Sequence, residues 1–375
     1  MIRIVADDKI PFLQGILEPY AEIQYVPGKS IDREIVEHAD AILIRTRTRC
    51  DEKLLQGTPV RFIATATIGH DHIDTSFCEK TGINWVNAPG CNASSVLQYM
   101  ASALFNMAEA YAFRLKGLTL GIIGAGHVGS MVERFGGLLG MKVLVNDPPR
   151  ERVEGPGHFV PLGKVLNESD IITLHVPLTE SGPDKTLQLI GKDTADRIKP
   201  GAWLINTSRG EVVYSSFLKE ALKEKRLTGA VLDVWENEPF IDPELLPSTF
   251  IATPHIAGYS LDGKAMGTAM VVRALSQHYD LPLFNWYPEE MTEPVNPLIR
   301  VDTRDKTSEE IIRNAAFQTY RIREDDTRFR NDPSGFEQQR ENYPARREFH
   351  AYKVELSGEN TEASYILSQL GFALF

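Results

Sequence analysis

Three segments of this chain carry side chains suited to proton transfer and to carboxylate binding. They read LINTSRGEVV, VLDVWENEP and IATPHIAGYS, and they hold Arg209, Glu238 and His255. A His with its ordinary pKa of about 6.5 is a usable base near neutral pH, and a Glu beside it fixes the tautomer and stabilises the imidazolium. An Arg fork binds a carboxylate through two parallel hydrogen bonds. These residue types suit removal of a proton from the hydroxyl group of a hydroxy acid.

Each of the three segments begins as an apolar run typical of a buried strand, and its polar residues follow where the run ends. In an open parallel sheet, ligands bind beyond the carboxyl ends of the strands. We therefore expect the three side chains to meet at one ligand, with His255 as the base, Glu238 as its partner and Arg209 as the carboxylate ligand.

A glycine fingerprint precedes these segments. In LTLGIIGAGHVGS, Gly124, Gly126 and Gly129 form GxGxxG between an apolar run and a helical pattern. The first glycine permits a tight turn, the second lets the backbone approach a pyrophosphate, and the third allows close packing of helix on strand. Asp147 follows 18 residues after Gly129, at the end of the next apolar run. This order predicts a dinucleotide-binding unit.

Asp147 favours NAD over NADP, because its carboxylate suits the ribose hydroxyls of the adenosine. A 2′-phosphate there would meet a like charge, at a cost of roughly 4 kcal/mol for an effective dielectric near 20. Arg150 and Arg152 weaken this inference, although Pro148 and Pro149 indicate a turn that aims them elsewhere.

Short apolar runs alternate with amphipathic helical patterns over residues 1 to about 260, which predicts βα units. A long helix is expected from Ser94 to Phe113, capped by Ser94 and Ser95. We expect an α/β protein with two doubly wound parallel-sheet (Rossmann-like) domains plus a small C-terminal α+β dimerisation domain. The predicted strands are Ile2–Ala6, Glu22–Tyr25, Ala41–Ile44, Phe62–Thr65, Leu118–Ile123, Lys142–Asn146, Ile171–His175, Trp203–Asn206, Ala230–Asp233, Phe250–Ala252, Leu298–Val301, Tyr352–Leu356 and Phe372–Phe375.

Composition excludes several classes of protein. A chain of 375 residues is expected to form two or three domains. A net charge of −11 argues against binding to nucleic acid or to an anionic membrane. Three cysteines without CxxC spacing, and an N-terminus without a secretory signal, favour a cytoplasmic location.

The segment from Arg321 to Glu348 has seven Arg and seven acidic residues but no Lys. A charge run of this kind is usually a solvated face. The alternative is a self-complementary interface in a homodimer, because Arg suits bidentate pairing with carboxylates.

The order of Arg209, Glu238 and His255 behind GxGxxG resembles the D-isomer-specific 2-hydroxyacid dehydrogenase family over residues 1 to about 285. The resemblance implies NAD as cofactor and three domains. These are a flavodoxin-like substrate-binding domain (1–93 and 258–285), an NAD-binding Rossmann domain (94–257) and a dimerisation domain (286–375). NAPGCNASSVLQYM, TATIGHDHID, IAGYSLDGKAMGT and ENYPARREF resemble the branch that acts in vitamin B6 synthesis on a small phosphorylated 2-hydroxy acid.

The resemblance also assigns site residues. Those for substrate are Thr46, Thr67 and Tyr259, and the plain alternative for each Thr is packing in the core. Val176 departs from the more usual Thr, and Asp233 has the alternative role of a turn acceptor. The residues implied for NAD are Gly124, Gly126, His127, Val128, Gly129, Asp147, Val176, Thr207, Ser208, Arg209, Asp233 and Gly258.

The substrate phosphate needs cations. Arg45, Arg47 and Arg49 alternate, so they share one side if the stretch is extended, and Lys264 is a further candidate. No metal site is expected, since His70 and His72 lack a third ligand at motif spacing and are interpreted as turn residues. Two alternatives stay open: another 2-hydroxyacid dehydrogenase, of the phosphoglycerate or hydroxypyruvate type, and a non-enzymatic NAD-sensing binding protein.

Overall fold

A computed structural model describes all residues from Met1 to Phe375. The chain forms two compact units, residues 1–92 with 260–292 and residues 93–259 with 293–375. The strands are β1 (Ile2–Asp7), β2 (Ala21–Val26), β3 (Ala41–Ile44), β4 (Phe62–Thr65), β5 (Asn84–Val86), β6 (Thr119–Ile123), β7 (Lys142–Asn146), β8 (Ile171–Leu174), β9 (Ala202–Asn206), β10 (Leu227–Leu232), β11 (Ile251–Ala252), β12 (Leu298–Val301), β13 (Lys353–Leu356) and β14 (Ala373–Leu374). The helices are α1 (Arg33–Val36), α2 (Glu52–Leu55), α3 (Thr75–Thr81), α4 (Ala93–Ala110), α5 (His127–Leu138), α6 (Pro148–Glu154), α7 (Leu162–Glu168), α8 (Ser215–Lys223), α9 (Leu261–Tyr279), α10 (Ser308–Thr319), α11 (Ile322–Asn331), α12 (Phe336–Glu341) and α13 (Thr361–Gln369).

The first unit is built on a parallel sheet of order β2-β1-β3-β4-β5. Its central strands β3 and β4 read AILI and FIAT and are buried along their whole length, as expected for a parallel sheet covered on both faces. The chain returns to this unit with α9, where Val271, Val272 and Leu275 join the core around Phe62.

The second unit contains a parallel sheet of order β11-β10-β9-β8-β6-β7. After β7 the chain crosses back over β6 to form β8, so the strand order reverses at the carboxyl end of β6. That is the position at which open α/β sheets bind ligands. The prediction of two doubly wound parallel sheets is confirmed.

Helix α4 is buried on nearly all sides, because α5 packs against it and so does α10 from the C-terminal part of the chain. Its polar residues find tertiary partners there: Gln98 donates to the carbonyl of Arg347 at 3.0 Å, and the Ser102 hydroxyl donates to that of Tyr320 at 3.1 Å. The prediction that Ser94 and Ser95 cap this helix was wrong. The helix begins at Ala93, and the Ser95 hydroxyl donates instead to the carbonyl of Ala257 at 3.0 Å.

The C-terminal part forms a parallel sheet of order β12-β13-β14 with α10 and α13. A capping box of Thr307 and Glu310 starts α10. Ile311, Ile312 and Phe372 belong to the same apolar core as α4 and β6, so this part and the glycine-fingerprint sheet share one core. No helix has both the length and the apolar character that a membrane span requires.

The Arg-rich segment 321–348 forms α11 and α12, and the interpretation of it as a solvated face holds only in part, for residues such as Arg321 and Glu324. Asp326, Arg346 and Glu348 are buried. Arg330 binds Asp326 at 2.8 Å and donates to the carbonyl oxygens of Leu246 and Thr249. Arg and acidic side chains tolerate burial here because they pair with each other and with backbone carbonyls of the same unit.

Candidate active site

His255 and Glu238 form a close pair in the second unit. Nδ1 of His255 lies 2.7 Å from Oε2 of Glu238, and the other carboxylate oxygen accepts from the backbone N–H of Trp235 at 2.9 Å. Burial raises the pKa of Glu238, but the charge of His255 and its hydrogen bond lower it more, and the net pKa lies below the ordinary value. An ionised Glu238 accepts the proton on Nδ1, which leaves Nε2 of His255 as a proton acceptor.

The backbone around His255 is held in an uncommon conformation. His255 has φ of +57°, in the left-handed region that side chains other than glycine rarely adopt. Its N–H donates to the carbonyl of Asp233 at 2.7 Å, and the Asp233 carboxylate accepts from the N–H groups of Ile256 and Ala257 at 2.7 and 2.9 Å. Asp233 therefore acts as the turn acceptor considered for it, and its contact with nicotinamide stays a prediction.

Arg209 follows β9, and its loop is fixed by Asn206. The side-chain oxygen of Asn206 accepts a hydrogen bond from the N–H of Ser208 at 3.0 Å. Its side-chain nitrogen donates a hydrogen bond to the carbonyl of Arg209 at 2.9 Å. Gly210 comes next, and a Cβ there would overlap the backbone of Trp235. The Arg209 loop thus packs directly on the residue whose N–H binds Glu238. Sequence reasoning missed Gly210, although a glycine directly after a candidate catalytic residue was a usable signal.

The three glycines of the turn after β6 differ in the space around them. Gly124 has φ of +90°, and a Cβ there would lie 2.5 Å from the carbonyl oxygen of His175. A Cβ on Gly129 would overlap the carbonyl of Gly124, whereas one on Gly126 would meet nothing within 4 Å. Two glycines are thus required by packing, and the third leaves open space at the start of α5, where helix N–H groups favour phosphate.

Asp147 ties this turn to the next helix. Its carboxylate accepts from the N–H of Ala125 at 2.8 Å and from that of Arg150 at 3.0 Å, which caps α6. The Arg150 side chain is paired with Glu154 at 2.6 Å, and Arg152 is paired with Asp184. Both guanidinium groups are therefore engaged with carboxylates.

The other residues expected to bind NAD border the same turn or the ends of neighbouring strands. His127 is exposed at the first position of α5, and Val176 lies against Gly124. The hydroxyl of Thr207 lies 3.4 Å from Nδ1 of His175. Helix α5 contains Val128, the loop after β9 contains Ser208, and Gly258 follows the His255 loop.

His175 is a residue that sequence reasoning missed. Its ring is held between the hydroxyls of Thr173 and Thr207, and burial lowers its pKa to about 3. The imidazole is therefore neutral at physiological pH.

Tyr259 lies in the second unit, whereas Thr46 and Thr67 lie in the first. The ring of Tyr259 is 6.0 Å from that of Tyr343, and the guanidinium of Arg340 lies 5.6 Å from its centroid. Thr46 is exposed after β3, and the Thr67 hydroxyl donates to the carbonyl of Gly69 at 3.0 Å. Arg340 was not singled out from the sequence, because it lay within a charge run whose individual residues could not be told apart.

The stretch from Arg45 to Arg49 is a turn rather than an extended strand, so the expected alternation of its arginines was wrong. Arg45 donates to the carbonyl of Lys9 at 3.2 Å, and Arg49 lies 3.3 Å from Asp51. Arg47 is exposed, and Lys264 lies in the first turns of α9.

His70 and His72 lie in the turn that follows β4. His70 packs on the ring of Trp85 with a centroid distance of 5.0 Å, and burial lowers the pKa of His72 to about 4. These surroundings agree with structural roles.

Comparisons with known proteins identify the family of this chain. Residues 93–257 match the family model of the D-isomer specific 2-hydroxyacid dehydrogenase NAD binding domain, and residues 294–371 match a domain of unknown function. The chain is 45% identical over 357 residues to an erythronate-4-phosphate dehydrogenase of Bacteroides fragilis, covering 95% of this chain and 100% of that protein. It is 40% identical to the enzyme of the same name from Pseudomonas fluorescens, with 98% of each covered.

Among solved structures, NAD-bound 3-phosphoglycerate dehydrogenase of Entamoeba histolytica matches with a TM-score of 0.61 and 25% identity. The match covers 78% of this chain and 99% of that one.

Proposed function

The chain belongs to the erythronate-4-phosphate dehydrogenase family, and from that premise we propose that it oxidises 4-phospho-D-erythronate at C2 to 2-oxo-3-hydroxy-4-phosphobutanoate. The cofactor is NAD, as its NAD-binding domain of the 2-hydroxyacid dehydrogenase type indicates. The reaction is an oxidation of a secondary alcohol and serves vitamin B6 synthesis.

The observation that carries this proposal is the 2.7 Å contact between Nδ1 of His255 and Oε2 of Glu238. Because the carboxylate holds the proton of Nδ1, Nε2 takes the proton of the C2 hydroxyl. The charge of Glu238 then stabilises the imidazolium. Arg209 binds the substrate carboxylate with its guanidinium fork and orients C2.

The residues of the glycine turn fit the cofactor, since Gly126 leaves open space at the start of α5 and Asp147 presents a carboxylate at the end of β7. When bound, NAD accepts the hydride that leaves C2. His127, Val128, Val176, Thr207, Ser208 and Gly258 surround it in this proposal. Val176 serves through its apolar surface and backbone.

For the substrate, the proposal assigns hydroxyl contacts to Thr46, Thr67 and Tyr259. The phosphate end is assigned to cations of the first unit, with Arg45, Arg47 and Lys264 as candidates. Arg49 is the weakest of the predicted cations, because it pairs with Asp51 and its side chain is 84% exposed.

The assembly proposed is a homodimer in the cytoplasm, joined through the C-terminal part. Support comes from apolar side chains that this part leaves exposed, among them Leu298, Tyr365 and Phe375.

A panel of acids tests the substrate. Purified protein with NAD should form NADH from 4-phosphoerythronate, and with a far lower kcat/KM from 3-phosphoglycerate. The reverse preference would reject the substrate assignment in favour of a phosphoglycerate-type enzyme. Absence of turnover with every acid, together with tight NAD binding, would instead favour an NAD-sensing binding protein.

Substitution of the base tests the mechanism. His255→Ala should lower kcat by about three orders of magnitude or more while the Kd for NAD stays unchanged. Glu238→Gln should retain the geometry but lose the charge that stabilises the imidazolium, so its kcat should fall less. Unchanged kcat in His255→Ala would remove His255 from the role of base.

A further inference from the structure

The loop that carries His255 is held from two sides. On one side the Asp233 carboxylate accepts from the N–H groups of Ile256 and Ala257. On the other side the carbonyl oxygens of the same two residues point to a guanidinium from the C-terminal part of the chain. Nη2 of Arg346 lies 2.6 Å from the carbonyl oxygen of Ala257 and 3.4 Å from that of Ile256.

The contact is reinforced by helix α4. Nη2 of Arg346 also donates to the hydroxyl of Ser95, and that hydroxyl donates to the carbonyl of Ala257 at 3.0 Å. One carbonyl oxygen, two residues after the catalytic His, is thus bound by a charged group and by a hydroxyl that the same charged group orients.

Burial of the Arg346 side chain costs desolvation free energy, because its guanidinium is charged. It is only 6% exposed, and its Nε and Nη1 have no hydrogen-bond partner. Its guanidinium lies over the ring of Tyr320 at 4.3 Å, and Asp325 is occupied by the hydroxyls of Tyr320 and Tyr343. An apolar residue of similar volume would fill this place without two unpaired donors. Stability alone therefore does not account for a guanidinium at this position.

We propose that Arg346 is a positioning residue of the active site, which orients His255 by holding the carbonyl groups of Ile256 and Ala257. His255 itself has a strained φ, so its imidazole stays aligned with Glu238 only while the following backbone is fixed. The C-terminal part of the chain thereby contributes to the reaction as well as to the fold. The inference rests on the proposed function, because it assigns a second layer of residues to the same catalytic pair.

Arg330 provides a matched control. It comes from the same C-terminal segment and likewise donates to backbone carbonyls of the second unit, those of Leu246 and Thr249 just before β11, at 2.8 and 2.9 Å. It makes no contact with the His255 loop. Arg330→Met should therefore lower the Tm without changing kcat.

The test compares Arg346→Met, Arg346→Lys and Arg330→Met with the wild type. Arg346→Met should lower kcat by about 10- to 100-fold, as a small displacement of a catalytic group does, with little change in KM or in the Kd for NAD. Arg346→Lys keeps a donor and should recover part of the lost kcat. Ser95→Ala keeps the buried charge of Arg346 and removes only the hydroxyl that links it to the carbonyl of Ala257, so it should show a smaller loss of kcat. This variant replaces Arg346→Met in the test if Arg346→Met does not fold.

Unchanged kcat in folded Arg346→Met, or in Ser95→Ala where Arg346→Met does not fold, would overturn the proposal. The proposal would also be overturned if Arg330→Met lost as much kcat as Arg346→Met does when both variants lose the same amount of Tm. A wild type without turnover would reject the proposed function instead. The crystal structure of Arg346→Met would then decide this inference, because the proposal requires the 2.7 Å contact between His255 and Glu238 to lengthen when the guanidinium is removed.

Discussion

At the scale of single residues, Asp147 supports the fold, and we propose that the same carboxylate also sets the choice of cofactor. It binds the N–H groups of Ala125 and Arg150, and it is the acid expected to face the adenosine ribose. The nearby Arg150 is held by Glu154. In this proposal, the preference for NAD depends on the carboxylate of Asp147 and on Arg150, whose charge Glu154 neutralises.

Asp147→Asn should raise the ratio of kcat/KM for NADP over NAD by about tenfold or more, because it removes the charge that repels a 2′-phosphate. Asn keeps one acceptor oxygen for the two N–H groups that Asp147 binds, so the variant should also lose about 1 kcal/mol of stability. Adding Glu154→Gln removes the charge that neutralises Arg150 and should raise the ratio further. Asp184→Asn, which releases Arg152 instead, is the control, and an unchanged ratio in Asp147→Asn would show that selectivity lies elsewhere.

His175 makes stability depend on pH. Its folded-state pKa of about 3 lies below the ordinary 6.5, so the unfolded chain binds a proton between these values that the folded protein does not. This stabilisation is complete above about pH 6.5 and is lost as the pH falls toward 3, by at most about 1.4 kcal/mol per pH unit.

Urea unfolding of wild type and His175→Gln between pH 4.5 and about 7.5 checks this prediction. Both proteins have the same carboxyl groups, so the difference between their free energies of unfolding reports the contribution of His175 alone. The variant should show the weaker pH dependence. His38→Gln, at an exposed position, should behave like the wild type. Parallel curves for wild type and His175→Gln would contradict the prediction.

At the scale of elements, the turn between β6 and α5 contains glycines that packing requires and one glycine that leaves space for a ligand. The sequence fingerprint assigns the approach to the pyrophosphate to Gly126 and close packing to Gly129. In the structure, Gly129 lies against the carbonyl of Gly124, whereas a Cβ on Gly126 would enter open space at a φ of −69° that any residue adopts.

Gly126→Ala should therefore leave the free energy of unfolding nearly unchanged and weaken NAD binding by about tenfold or more, because its methyl group occupies the space of the phosphates. Gly129→Ala should destabilise the protein by about 2 kcal/mol or more, since α5 must move away from β6. Calorimetric titration with NAD and urea unfolding distinguish the two. Equal loss of stability in both variants would be evidence against this division of roles.

Strands and helices with a strong pattern were predictable, and elements that depend on distant partners were not. Ala41–Ile44 and Phe62–Thr65 were predicted with the bounds observed. The short edge strand Asn84–Val86 was missed, because three residues carry no period. Helix Ile322–Asn331 was missed because charges dominate its sequence, and those charges find partners only after the chain has folded.

The same division applies to the active site. The order of residue types and the ends of strands were enough to predict Arg209, Glu238 and His255 as site residues, and the structure brings two of them, Glu238 and His255, within 2.7 Å of each other. Arg346 and Ser95 could not be found this way, because their roles depend on carbonyl groups that no side-chain pattern reveals.

At the scale of the whole molecule, the C-terminal sheet exposes apolar side chains that we propose contact a partner. Leu298 is 41% exposed and Phe375 is 78% exposed, and Lys353 lies between their strands with its amine 5.5 Å from the Phe375 ring centroid. Removal of everything after Trp286 would not test assembly cleanly, because Ile311 and Ile312 cover α4 within the same chain.

Leu298→Glu combined with Phe375→Glu should instead convert a dimer into a folded monomer of 42.0 kDa, because charge on an apolar contact opposes association. Sedimentation velocity and circular dichroism measure mass and fold. Val153→Glu, at an exposed apolar position of α6, is the control and should stay dimeric. A double variant that remains dimeric would place the interface on another surface.

The single core shared by α4 and the C-terminal sheet also matters while the protein is being made. A ribosome releases the N-terminal residues first, so α4 emerges with one flank bare until β12 to β14 have left the exit tunnel. Such uncovered apolar surface is prone to aggregate and attracts chaperones. Because Arg346 follows both α4 and the His255 loop in the chain, a nascent chain completes this core, and in our proposal aligns its catalytic loop, only after the C-terminal part has been made.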